Sequence, residues 1–246
     1  MSDIRQYENH WRVATFEVDA QSEMKLSTML RICQETSEKH LSALGVGYEK
    51  LKADGMVFLI VKSESTIYRM PAHGEELRII TRPQGVVRAE FYRDYEFYSG
   101  EEKIAWVMQS SVAANTQTHR ILHPKQFAAY GLDASANGVT NHTLSRMKLG
   151  ELPFLGERVI RYSDLDYNGH LNNAIYGDIF YDFLPGGMMG KRLEKVQINF
   201  VNESLLGESL RIFGKDENGI VAMYGENSRG RAFEATGQVV SRESAQ

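Results

Sequence analysis

Cysteine is almost absent from this chain. A single residue, Cys33, serves 246 positions, so no intramolecular disulfide can form and one thiol argues against a cysteine-built metal site. A basic excess is absent too: 28 Lys and Arg stand against 32 Asp and Glu, a formal net charge of −4, whereas a nucleic-acid partner asks for the opposite sign. No apolar run is long enough to span a bilayer, which argues against membrane insertion. The first residues, Met1 to Glu8, hold no apolar signal core and are too acidic for a transit peptide. Together these absences predict a protein of the reducing cytoplasm. What is present is an ordinary globular composition, 42% hydrophobic and 24% charged, in a chain long enough for one large domain or two small ones.

The chain reads as two copies of one plan. The first opens with a strand around Trp11 to Val18. A helix follows, with apolar residues at Leu26, Leu30, Cys33, Leu41 and Leu44 and Gly45 as its C-terminal cap. Strands are predicted at Val57–Arg69, Leu77–Arg82, Arg88–Tyr98 and Lys103–Ala114, with a hairpin turn at Ser99–Glu102. The second copy opens near Glu157 to Tyr162. Its helix carries Leu171, Ile175, Ile179 and Phe183 on one stripe and stops at Pro185-Gly186-Gly187. Strands follow at Lys195–Asn202, Ser209–Phe213, Ile220–Gly225 and Arg231–Val240. Gly74-Glu75-Glu76-Leu77-Arg78-Ile79-Ile80 matches Gly207-Glu208-Ser209-Leu210-Arg211-Ile212-Phe213, in step with the repeat. The expected division is 1–126, a linker over 127–153 rich in Ala, Ser, Asn and Gly, and 154–246. One long helix and one antiparallel meander, written twice, predict an α+β fold. Each sheet wraps its own helix, and the halves join into one continuous antiparallel sheet carrying two long central helices, a tandem (double) hotdog.

The chemistry concentrates in Tyr162-Ser163-Asp164-Leu165-Asp166-Tyr167-Asn168-Gly169-His170-Leu171-Asn172-Asn173. If extended, Asp166, Asn168 and His170 share one face, and the following helix aims its free N–H groups at the same place. Acid, amide, imidazole and helix N-terminus on one spot suit hydrolysis of an activated acyl group. The same residue types also build a tight turn. Asn172 and Asn173 read as helix caps, and Asp164 as a brace for the loop. His40, His73, His119 and His123 form no metal set. Sliding the second helix onto the first sets Leu171 on Leu26, and so His170 on Lys25, Asn168 on Glu23 and Asp166 on Gln21. Sliding the strands sets Glu203 on Met70. The polar set then has no first-half counterpart, which predicts one active site per chain.

These stretches resemble the acyl-ACP thioesterases. The likeness runs from about Trp11 to about Gln238. It includes Gln34-Glu35, Leu44-Gly45-Val46-Gly47, Tyr68-Arg69-Met70-Pro71, Arg93-Asp94-Tyr95 and Thr118-His119-Arg120 in the first half. In the second half it includes Asp164 to Asn173, Tyr176 and Asn199-Phe200-Val201-Asn202-Glu203-Ser204. The resemblance implies a double hotdog fold and an active site of Asp166, Asn168, His170 and Glu203, with no cofactor or metal. It also implies hydrolysis of fatty acyl thioesters on acyl carrier protein, releasing free fatty acid and ending fatty acid synthesis.

Ser204 stands where plant members often have cysteine, so a cysteine nucleophile is not supplied there. Glu203 or Asp166 then attacks, as general base for water or as nucleophile. His170 positions the carboxylate or protonates the leaving sulfur, and Asn168 with a backbone N–H near Gly169 to Asn172 polarises the carbonyl. The first copy is expected to supply the acyl pocket from the helix Leu26–Leu44 and the strand Val57–Tyr68, with Met29, Leu30, Cys33, Met56 and Phe58 as candidate liners. Lys191, Arg192 and Lys195 form the densest basic group of the second half, a candidate docking surface for the acidic carrier. An acyl-CoA thioesterase, a hotdog hydratase and a non-catalytic acyl-binding protein stay open as alternatives. So does a homodimer through exposed sheet edges.

Overall fold

The computed structural model describes residues 3–242. Met1, Ser2 and residues 243–246, which the expected halves include, lie outside the described residues. The described chain forms one antiparallel sheet of ten strands in the order β1-β3-β4-β5-β2-β7-β10-β9-β8-β6. The first half supplies β1 (Tyr7–Arg12), β2 (Met56–Ile67), β3 (Glu76–Val87), β4 (Glu90–Ser99) and β5 (Glu102–Asn115). The second supplies β6 (Phe154–Val159), β7 (Lys191–Phe200), β8 (Ser209–Glu217), β9 (Ile220–Asn227) and β10 (Gly230–Ser241). The halves repeat in mirror order about the β2–β7 seam, where Lys62 pairs with Asn199 and Thr66 with Lys195. The matched heptapeptides run into β3 and β8, each second from a sheet edge. This is the tandem hotdog predicted from the sequence.

Helix α1 (Leu26–Ala43) lies under the first half, with Leu26, Met29, Leu30, Ile32 and Cys33 buried against the sheet. Leu44 caps it and Gly45 turns the chain at φ +79°, a conformation glycine adopts without a steric cost. A short helix α2 (Tyr48–Ala53) follows, and α3 (Lys125–Ala128) comes after β5. The second central helix, α4 (Ile175–Asp182), has only 8 residues, so the expectation of two long helices fails. Leu171, though on the right stripe, gives its N–H to the Ser204 carbonyl at 2.8 Å and so stays in a bridge outside the helix. Asn172 Oδ1 accepts the Ala174 N–H at 2.8 Å, a local turn that delays helix entry. Helix α4 reaches α1 through Gly177, where a Cβ would lie 3.0 Å from the Ser27 nitrogen and 3.1 Å from Leu26 Cγ.

Two strand boundaries also move. The stretch from Trp11 to Val18 leaves the sheet after Arg12 and makes a 3-10 turn at Thr15–Glu17. Residues Tyr162–Asp164 form the equivalent turn in the second half. Segment 127–153 crosses the outer face of the sheet. Asn137 Nδ2 donates to the Pro83 carbonyl at 3.0 Å, Leu144 is buried on Tyr92 and Met108, and the Ser145 carbonyl accepts from Gln197 and Asn199. Tyr92 and Asp94 are therefore buried on the outer face while Tyr95 and Phe97 are buried on the inner one.

Candidate active site

The loop between the 3-10 turn and α4 is tight, contrary to the extended conformation expected for it. Leu165 and Leu171 form an antiparallel bridge, and the Asp166 N–H bonds the His170 carbonyl at 2.8 Å. Gly169, at φ +79°, closes the turn by donating to the Asp166 carbonyl at 3.0 Å. Asp166 Oδ1 accepts the N–H of Asn168 at 2.8 Å and that of His170 at 3.3 Å. The side chain therefore braces the loop that displays the other two. Asp164 braces the loop base: it is 7% exposed, and its carboxylate takes Arg158 Nη2 at 2.8 Å and the Arg161 N–H at 2.9 Å.

His170 also bridges Leu205 on the segment after β7, which brings Glu203 across from it. His170 Nε2 lies 3.1 Å from Glu203 Oε2. The Glu203 carbonyl is clamped by Asn227 Nδ2 at 2.8 Å and Arg229 Nη2 at 2.7 Å, so β9 and the β9–β10 turn set its position. Asp166, Asn168, His170 and Glu203 line one cleft of about 1180 Å³. The first half contributes Tyr48, whose hydroxyl donates to Asn168 Oδ1 at 3.4 Å and whose ring packs 4.1 Å from that of Tyr167. Nothing in the second-half motif signals Tyr48, because the contact exists only once the halves pack.

The backbone donors expected near Gly169 to Asn172 are already occupied. Gly169 and His170 bond within the loop, Leu171 bonds Ser204, and Asn172 bonds the Asp164 carbonyl at 2.9 Å. Asn173, which lines the cleft, has a backbone N–H with no acceptor among the described residues. Its side-chain Nδ2 donates to the Ile60 carbonyl on β2 at 3.3 Å. Ser204 is 1% exposed and bonded to Asn227, with Tyr176 at 3.4 Å, a buried packing group. Cys33 is buried outside the cleft lining, and burial pushes its thiol well up.

Of the candidate liners only Phe58 borders the cleft; Met29, Leu30, Cys33 and Met56 are core. Phe58 meets Phe91 and Phe127 at ring separations of 5.1 and 5.3 Å, an aromatic wall in the first half. Lys191, Arg192 and Lys195 face Asp216, Glu194 and Glu64, so their charges are answered locally.

The first half does hold a copy of the loop, which corrects the helix-based alignment by two residues. Val18 bridges Met24 as Leu165 bridges Leu171. Asp19 Oδ1 accepts from Gln21 and Glu23 as Asp166 does from Asn168 and His170. Asp166 thus corresponds to Asp19, Asn168 to Gln21 and His170 to Glu23, while Met70 does stand in for Glu203. In this copy Gln21 bonds the Gly190 N–H and the Lys191 carbonyl, and Arg242 fills the place before Glu23. The acidic brace recurs; the imidazole–carboxylate pair does not.

Fold and family models together place the chain among hotdog-type thioester hydrolases. Two family models, described as the acyl-ACP thioesterase N-terminal and C-terminal domains, match residues 5–126 and 154–236. The chain belongs to the acyl-ACP thioesterase family, and its reaction is hydrolysis of acyl-ACP thioesters. No curated protein matches it in sequence. Among solved structures it is similar to an acyl-ACP thioesterase from Bacteroides thetaiotaomicron. That match has 19% identity and a TM-score of 0.84, covering 96% of this chain and 98% of that one. The 12:0-ACP thioesterase from Umbellularia californica matches at 14% identity with a TM-score of 0.82, again over 96% and 98%. Both likenesses are of fold.

Proposed function

We propose that Glu203 and His170 are the attacking pair of this thioesterase. The observation that carries this is their 3.1 Å contact at the cleft wall. Asp166 is spent on two loop amides, whereas Glu203 has only His170 as side-chain partner among the described residues. Glu203 takes the proton from water as the oxygen attacks the thioester carbonyl. His170, in contact with Glu203, relays that proton to the departing phosphopantetheine sulfur, so Glu203 returns to its carboxylate form. The Asn173 N–H and the Asn168 amide receive the developing oxyanion, and loss of one such donor costs about a hundredfold or more in rate. Asp166 acts through the loop as a positioning residue. The products are a free fatty acid and the carrier thiol, so the reaction ends chain growth in fatty acid synthesis, in the cytoplasm.

The acyl chain enters the first-half side of the cleft, along α1 and the Phe58–Phe91–Phe127 wall. Arg31 and Lys52, exposed on the cleft rim, offer positive charge to an acidic carrier protein. The outer edges of β1 and β6 are where a second copy would add to the sheet. The test is thiol release from carrier protein charged with fatty acids of several lengths. Glu203→Ala is expected to lose about 10²–10⁴ in kcat. Release that survives in the folded variant overturns the assignment.

A further inference from the structure

The inner cleft carries a charge that hydrolysis of a plain acyl chain does not use. Arg93 lies between Phe91 and Tyr95 on the inner face of β4 and lines the cleft. Its Nη1 donates to His40 Nδ1 at 3.0 Å and to Thr81 Oγ1 at 3.2 Å. His40 is fully buried, and burial followed by the Arg93 charge pushes it down to about 4. Its Nε2–H faces the Asp3 carbonyl at 2.9 Å, which leaves Nδ1 as a neutral acceptor. Both partners of the guanidinium are therefore uncharged. No carboxylate lies within ion-pair distance of Arg93 among the described residues. Asp94 is on the opposite face, bonded by Gln84 at 3.1 Å.

Strand register adds a second, independent group. Gln109 stands directly opposite Arg93 on β5, and Ser63 stands opposite Gln109 on β2. Gln109 is 4% exposed and lines the cleft, yet its amide has no hydrogen-bond partner among the described residues. The Ser63 hydroxyl beside it is buried and unpaired, and Ser111, next along the same face, also borders the cleft. Buried polar groups are ordinarily satisfied. A chain of methylenes satisfies none of these.

We propose that the inner cleft accepts an acyl chain bearing an oxygen substituent (hydroxyl, oxo or distal carboxylate) that hydrogen-bonds to Arg93 and Gln109. The inference rests on acyl-thioester hydrolysis at the same cleft. Strand β4 is three positions from β7 in the sheet, about 14 Å at the usual strand spacing. The substituent therefore sits well along the chain, away from the thioester.

The experiment compares kcat/KM for carrier protein charged with saturated chains and with chains of equal length carrying one hydroxyl, walked from mid-chain to the far end, or a terminal carboxylate. The ratio of oxygenated to plain substrate cancels any general loss in a variant. The wild type is expected to favour the oxygenated chain about tenfold or more at one stretch of positions. In Arg93→Met and in Gln109→Leu that ratio falls to one or below, and Arg93→Lys restores part of it. A wild type that prefers the plain chain at every position overturns the proposal, as does a ratio unchanged in folded Gln109→Leu. If no carrier thioester is cleaved, the thioesterase assignment itself fails. The inner cleft is then read by calorimetric binding of free hydroxy and plain fatty acids to the Glu203→Ala protein. Tighter binding of the hydroxy acid supports the proposal, and equal or weaker binding overturns it.

Discussion

Asp166 and Glu203 are both carboxylates on the cleft wall, and their partners differ. Asp166 accepts two backbone N–H groups of its own loop, a task that an amide oxygen also performs. Asp166→Asn is therefore expected to keep kcat within a few-fold, whereas Asp166→Ala releases the loop and loses about a hundredfold through misplacement of His170. Equal inactivation of the two variants in steady-state assays would reassign Asp166 as a nucleophile. The loop was legible as a candidate site because Asp166, Asn168 and His170 lie within one short stretch of sequence, and its tight turn because the same residue types build turns. The spent amides were not legible, since the Ser204 carbonyl that takes the Leu171 N–H comes from a distant segment. Arg93 had a local signal: it occupies an inward position in the alternation Phe91, Arg93, Tyr95, Phe97 on β4.

The two central helices show where a periodic pattern misleads. Helix α1 follows its apolar stripe from Leu26 to a glycine stop. In the second half the stripe continues backwards through Leu171, but hydrogen bonds to Ser204 and Asp164 hold residues 171 and 172 in the loop. Aligning the halves on the stripe therefore misplaced the loop, whereas the Gly74 and Gly207 strands aligned correctly. Helix α4 depends on close approach at Gly177, where any side chain meets the Ser27 backbone. Gly177→Leu is expected to cost about 1–3 kcal/mol by overpacking, seen as a lower midpoint in denaturant at unchanged slope. The Phe58–Phe91–Phe127 wall limits the cleft on the first-half side. Phe58→Ala is expected to move the preferred acyl chain toward greater length, because each further buried methylene contributes about 0.8 kcal/mol. An unchanged length profile in a carrier-thioester assay would place the chain elsewhere.

For the molecule as a whole, stability responds to pH through His40 and Glu75. His40 titrates near 4 when folded, because of burial and then Arg93, against about 6.5 when unfolded. Between those values the unfolded chain holds the extra proton, so stability falls as pH drops through this window, by up to about 3 kcal/mol. Glu75 behaves in the complementary range: the Arg69 guanidinium holds it down at about 2. Its stabilisation is full above about 4.5 and is lost as pH falls toward 2. Urea midpoints should therefore decline in two successive stretches, and His40→Gln should flatten the upper one. The division into two repeats was legible from the matched heptapeptides, and the continuous sheet from the doubled meander. The crossing of segment 127–153 over the outer face was not, because its small and polar residues look the same solvated or docked. The β2–β7 seam has one more consequence, for biosynthesis. Ser63 and Ile198 pair across it although more than half the chain separates them. A ribosome adding about 5–20 residues per second leaves β2 waiting roughly ten seconds for its partner. Lys62 and Glu64, charged residues set into β2, guard that open edge against the wrong strand while the nascent chain is finished.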